Sequence, residues 1–231
     1  MSEPTDPTRI PRVIAALQRA WEGQPDLALP ALLGLVANRG VGWGSSDEDF
    51  LATLEQVERE HPSLVDAPPT RHLSIATFAP RHLVTLTPDR VVVRDPHVPT
   101  RQPVAWAYSA LRPTGPGRPL VITDVAGVEH RLGVSSLVSE FDPHSVPPLS
   151  GIRAQNIGEA RWLVEFADGS RALVAPRLRV WRVNRRDVEL HTVAWERIDR
   201  CSPGAAMAVT PVGGRGLLEL GEVDNVTVIQ A

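Results

Sequence analysis

An internal repeat constrains this chain more than any single motif does. Shifted by 89 residues without gaps, Arg90-Val91 falls on Arg179-Val180 and Val104-Ala105-Trp106 falls on Val193-Ala194-Trp195. Shifts of 87 to 88 place Phe78-Ala79 on Phe166-Ala167 and Leu132-Gly133 on Leu220-Gly221; they also set Thr123, Val125 and Gly127 on Thr210, Val212 and Gly214. Several short matches in one order, each at the same place in a strand pattern, indicate a duplicated unit. Trp106 and Trp195 are expected to anchor the two cores from a central strand, and the turns TDVAG and TPVGG to close the following hairpins.

Both copies read as β structure. LSIATF, LVTLT, RVVVR, PVAWAY, PLVITD and HRLGV alternate or are β-branched, and each is bounded by Pro, Gly or Asp. The pattern returns as ARWLVEF, ALVAP, LRVWRV, VELHTVAW, MAVTPV and LLELG. Composition marks linkers at LVDAPPT and at residues 142–158, DPHSVPPLSGIRAQNIG. The expected organisation is a helical module at 1–63, a linker at 64–71, β copy one at 72–141, a linker at 142–158 and β copy two at 159–231. The fold class is α+β: a three-helix module followed by two tandem, duplicated antiparallel β-barrel or β-roll units.

The helices follow from spacing. Val13, Ile14, Leu17 and Trp21 recur at helical intervals after Pro11, which fits a first turn where its missing N–H is not needed. This predicts a helix over 11–22. Leu29, Leu32, Leu33 and Val36 predict a second over 28–38, ended by Gly40 in a left-handed cap. Ser46 and Asp49 have capping-box spacing for a third helix carrying Phe50, Leu51, Leu54 and Val57 until His61-Pro62. The run Gly40 to Ser46 opens that helix, but it lacks a Lys and is followed by Asp47, Glu48 and Asp49, so it reads as an inter-helix turn rather than an anion loop. The segment RVIAALQRAWEGQPDLALPALLGLVA resembles a family of small bacterial helical proteins, a resemblance that implies no activity.

Within each copy, the run from RHLVTLTPDRVVVRD through VAWAYSALRP to LVITDVAGVEHRL resembles a bacterial pleckstrin-homology-like or GRAM-like domain. That resemblance implies a small β-barrel with a closing amphipathic helix. GVSSLVSEF is the candidate for it in copy one, whereas GEVDNVTVIQ reads as strand in copy two. A different small β-barrel remains an alternative.

Charge and chemistry narrow the function. Residues 1–66 carry five Arg against eleven Asp and Glu, a net of −6, and the remainder carries 19 against 16, a net of +3. Neither part is basic enough to point to nucleic acid, which binds through displaced counterions. No run is apolar for the length of a membrane span, so a soluble cytoplasmic chain is expected. A lone Cys201 excludes an internal disulfide. The sequence has no zinc-spaced His pair, nucleophile elbow, phosphate-loop Lys or dinucleotide fingerprint, and no cofactor is expected. The surviving chemical candidate is Asp187, Glu189 and His191, whose side chains would alternate onto one strand face where they could share a divalent metal. His144 with Asp142, His130 with Glu129, and Cys201 with Asp199 each lack a third group to orient them.

Three functions follow as expectations. The first is a non-catalytic interaction or scaffold protein whose partner is another protein. The second is a metal-dependent hydrolase using Asp187, Glu189 and His191. The third, implied by the pleckstrin-like resemblance, is binding of anionic lipid head groups or phosphopeptides by Arg90, Arg94 and Arg101 or by Arg182, Arg185 and Arg186.

Overall fold

The structure, a computed structural model, describes residues 6–185, 187–214 and 216–231. It is α+β, with three helices followed by two antiparallel β units. Two compact units divide the chain, one formed by Met1–Val91 with Trp106–Glu140 and the other by Val92–Ala105 with Phe141–Ala231.

Helices α1 (Arg9–Glu22), α2 (Leu29–Asn38) and α3 (Asp47–Glu60) match the spacing-based spans to within two residues. Pro11 lies in the first turn of α1, and Gly40 closes α2 at φ +94°. The α3 capping box forms: the Ser46 hydroxyl accepts from the Asp49 amide at 3.2 Å, and the Asp49 carboxylate accepts from the Ser46 amide at 3.1 Å. The helical core is small, made of Ala16, Ala20, Leu32, Val36, Leu54 and Val57. α1 therefore turns Ala16 and Ala20 inward, and of the stripe expected as its core face Leu17 packs against this core while Ile14 and Trp21 face out.

Strands β1 (His72–Phe78), β2 (Leu83–Leu86), β3 (Arg90–Arg94), β4 (Val104–Leu111), β5 (Pro119–Asp124) and β6 (Glu129–Phe141) close into a barrel. The helix that the pleckstrin-like resemblance implies for GVSSLVSEF is instead part of β6. Strands β7 (Arg161–Phe166), β8 (Arg171–Val174), β9 (Leu178–Val183), β10 (Val188–Val193), β11 (Trp195–Arg200), β12 (Ala206–Pro211) and β13 (Leu218–Gln230) form an open sheet of order β10-β9-β8-β7-β13-β12-β11. VELHTVAW, read as one strand, breaks at Ala194 into β10 and β11. Without β10 the second sheet has the strand order of the first, opened between β9 and β11.

Strand register tests the repeat residue by residue. Ala110 pairs with Thr123 as Arg197 pairs with Thr210, and in both units two residues of the last strand, Leu132-Gly133 and Leu220-Gly221, bulge against one on the strand before. Those matches are structural equivalents. The others slip. Ala76 pairs with Leu83 as Glu165 pairs with Arg171, so Phe166 corresponds to buried Thr77 rather than to exposed Phe78. Tyr108 faces Asp124 as Trp195 faces Pro211, so Trp195 corresponds to Tyr108 and not to Trp106. The bonding agrees: the Tyr108 hydroxyl donates to the Thr87 carbonyl at 2.7 Å just past β2, and the Trp195 indole donates to the Ala175 carbonyl at 2.8 Å just past β8. Trp106 is thus no core anchor. It lies half-buried against the ring of His130.

Both segments read as linkers contribute to packing. Val65 is buried and pairs with Thr114 through two backbone hydrogen bonds. Leu149, Ile152 and Ile157 enter the core of the second unit beside Trp162, Trp195 and Ile198. Gly151 and Ile152 also bond Ile198, covering the β11 edge. In the same unit Val92 and Ala105 share a second buried cluster with Leu163, Leu173, Trp181 and Ile229.

Candidate functional site

Among the sequence-derived chemical candidates, Glu189 and His191 do lie on one face of β10, with His191 Nε2 at 3.3 Å from a Glu189 carboxylate oxygen. Asp187 stands before the strand, where its carbonyl accepts from the Asn184 amide. Among the described residues no group of three or more His, Cys, Asp or Glu side chains is placed to hold a metal ion. The geometry leaves an exposed Glu189–His191 contact on an edge strand.

Two of the candidate arginines, Arg94 and Arg101, are already engaged within the fold. Arg94 is largely buried and donates to the Ile229 carbonyl at 3.2 Å, and burial, aided by the like charge of Arg161, pushes its pKa down to about 10. Arg101 is held by Asp95 at 3.1 Å, and Arg90 is half-buried on β3. Arg182 and Arg185 are exposed, and Arg186 lies outside the described residues. Arg182 opens onto a cavity of about 300 Å³ that it shares with Asp168, Asn184 and Glu219. Two carboxylates at that mouth oppose an anionic ligand.

A larger cavity of about 610 Å³ is walled by Pro143, Pro147, Pro148, Trp162, Val226 and Val228, with Cys201 beside them. Burial pushes the Cys201 thiol up to about 12, far from the thiolate that nucleophilic chemistry needs. Asp199, its suggested partner, instead accepts from the Thr210 hydroxyl at 2.7 Å. Native protein at pH 8 should therefore react with an aromatic disulfide reagent about a thousandfold more slowly than a free thiol, and fully once unfolded in guanidinium. Immediate labelling of the native chain would contradict this burial.

One polar cluster escaped the sequence reading. His130, paired there with Glu129, is instead bonded through Nε2 to Asp124 at 2.9 Å, while Glu129 bonds Arg112. That bond, with the amides of Val128 and Ala126, holds the Asp124 carboxyl below its ordinary value. Trp106 covers the imidazole with ring centroids 4.8 Å apart. The Asp124 carboxylate thereby fixes the imidazole while also closing the β5–β6 turn, and the cluster supplies no nucleophile. His144 is likewise structural: its amide is capped by the Asp142 side chain.

The helical module presents the surface with the clearest departure from a solvated one. Ile10 and Ile14 are each 57% exposed, one turn apart on α1, and Trp21 continues the same stripe. The Trp21 indole is held in place by donating to the Leu27 carbonyl at 2.7 Å. Leu33 on α2 is also exposed, and Trp43, in the turn before α3, is fully so. Scattered apolar residues are ordinary on a surface, but Ile, Ile and Trp aligned along one helix face are not. Around them Arg9, Arg19 and Arg39 are already paired with Asp47, Glu58 and Glu60, so the module's excess charge is acidic.

A scan against protein-family models, a search of the curated proteins and a search of the solved structures each returned no match.

Proposed function

We propose that this chain is a non-catalytic protein-interaction or scaffold protein whose helical module docks an amphipathic, basic-flanked segment of another protein. The observation that carries this reading is the outward stripe of Ile10, Ile14 and Trp21 on α1. α1 turns only Ala16, Ala20 and part of Leu17 to the core and leaves Ile10, Ile14 and Trp21 outward for a partner. The net charge of −6 over residues 1–66, five Arg against eleven Asp and Glu, favours a partner segment whose polar rim is cationic.

Cross-linking in native lysate, followed by identification and binding of the purified partner, tests the reading. Ile14→Glu should leave the helical circular dichroism unchanged, because the side chain is exposed, yet weaken the partner at least tenfold. The affinity for wild-type chain should fall as salt rises. A partner bound equally by wild type and Ile14→Glu would reject the docking face. A specific turnover in an activity screen, with no stable partner, would reject the non-catalytic reading as a whole.

A further inference from the structure

The second β unit differs from the first by one strand, and that strand is the exposed edge of its sheet. Residues 95–103, which connect β3 to β4, contain no strand, whereas the connection between β9 and β11 contains β10. β10 pairs with β9 without a break from Val188↔Val183 to Val193↔Leu178, and no strand follows it in the sheet order. Its outer side therefore presents a row of backbone N–H and C=O groups ready for another strand. The opposite edge, β11, is covered by the chain itself through Gly151 and Ile152. Among the described residues no segment covers β10 in this way: Val188 is 48% exposed, and Glu189 and Thr192 are exposed as well. Of the usual protections of a sheet edge, VELHTV carries one charged side chain, Glu189, and neither Pro nor Lys nor a bulge.

The side chains say what fits there. Glu189 and His191 share one face, and in antiparallel pairing residues directly opposite lie on the same face about 5 Å apart. If a second β10 is laid antiparallel with Leu190 opposite Leu190, Glu189 meets the His191 of the second copy and His191 meets its Glu189. Val188 then faces Thr192. The symmetric register one pair back sets Glu189 against itself with His191 opposite Asp187, and the one forward sets His191 against itself with Glu189 opposite Val193. Glu189 already faces Arg182 on β9, and in the matched register the His191 imidazole of the second copy adds a further polar neighbour.

We infer that β10 is the edge at which a second copy of this chain adds, by antiparallel β10–β10 pairing centred on Leu190, to give one sheet continuous across the pair. The contact is isologous, so it closes at two copies. It uses a surface in the second unit and stands independently of the helical docking face.

Sedimentation velocity of the full chain over micromolar to millimolar concentration tests the inference. Wild type should show a reversible monomer–dimer equilibrium. Glu189→His and His191→Glu, each of which sets like groups opposite one another at two symmetric positions, should weaken the dimer about tenfold. The double exchange Glu189→His with His191→Glu should restore it. Both side chains are exposed, and unchanged circular dichroism confirms that the variants fold. A monomer at all concentrations, or a dimer indifferent to both single changes, overturns the inference. A dimer dissolved instead by Ile14→Glu would place the contact on the helical module and overturn it too, and loss of the helical-module partner in Ile14→Glu alone leaves the β10 result unaffected.

Discussion

Trp195→Ala is expected to destabilise the second β unit by about 3–5 kcal/mol, the range for truncating a large aromatic side chain in a close-packed core. Trp195 is 2% exposed and packs with Ile152, Ile157 and Ile198, so the space it vacates is enclosed. Truncation also strands the Ala175 carbonyl, which has the indole as its donor at 2.8 Å. Guanidinium denaturation followed by far-ultraviolet circular dichroism, which does not depend on the lost fluorophore, measures the change. The sharper comparison is with the first unit. Trp106→Ala should cost less than half as much, because that ring lies half-buried on His130 with no hydrogen-bond acceptor for its indole. Tyr108→Phe should cost about 1–2 kcal/mol through the lost bond to Thr87. Equal losses from Trp106→Ala and Trp195→Ala would show that the Val-Ala-Trp match, and not the strand register, identifies equivalent positions.

Why one part of the repeat was legible and another was not is visible at these residues. Thr123 with Thr210, and Leu132-Gly133 with Leu220-Gly221, hold their register because the same bulge recurs in both copies, and Gly133 tolerates no side chain there: a Cβ would lie 2.7 Å from the Pro80 carbonyl. Val-Ala-Trp misled because chance identity at a shift of 89 outweighed a true correspondence between unlike aromatics, Tyr108 and Trp195, at a shift of 87. The helices were legible since their caps and periods are local, as with Ser46 and Asp49. Which face of α1 turns inward was not, since Ala16 and Ala20 carry little hydrophobic signal but permit the closest approach. Leu149, Ile152 and Ile157 follow no helix or strand period, so a Pro- and Gly-bearing stretch that builds core read as linker. Asp124, His130 and Trp106 come from three consecutive strands, and it is the pairing of β4, β5 and β6 that brings them together. VELHTVAW carries no Gly or Pro to mark the break at Ala194, so the strand end that makes β10 a sheet edge is set by the sheet and not by local sequence.

Gly115→Ala is the second large effect, and it acts where the helices join the barrel of the first unit. A Cβ on Gly115 would lie 2.1 Å from the Ser63 carbonyl oxygen and 3.0 Å from its carbon, both backbone atoms that cannot rotate away. The strands on either side are locked. Val65 exchanges two backbone hydrogen bonds with Thr114 at 2.8 and 2.9 Å, and the buried Thr114 hydroxyl is 3.0 Å from that of Ser135. Relief of the clash must pull residues 63–65 off the barrel, breaking those bonds and exposing Val65, for an expected loss of about 3 kcal/mol or more. Just upstream, His61 contacts the Ser139 hydroxyl at 3.1 Å, so the disturbance passes directly to the end of α3. Gly117→Ala is the control: its φ is +79° but nothing lies within 4 Å of the added carbon, so only backbone strain of about 1 kcal/mol is incurred. Thermal unfolding should rank Gly115→Ala well below Gly117→Ala, and limited trypsin digestion should cut Gly115→Ala faster at Arg71. A Gly115→Ala chain as stable as wild type would mean that Ser63 and Gly115 are not in contact, and would remove the close seam by which α3 is tied to the barrel.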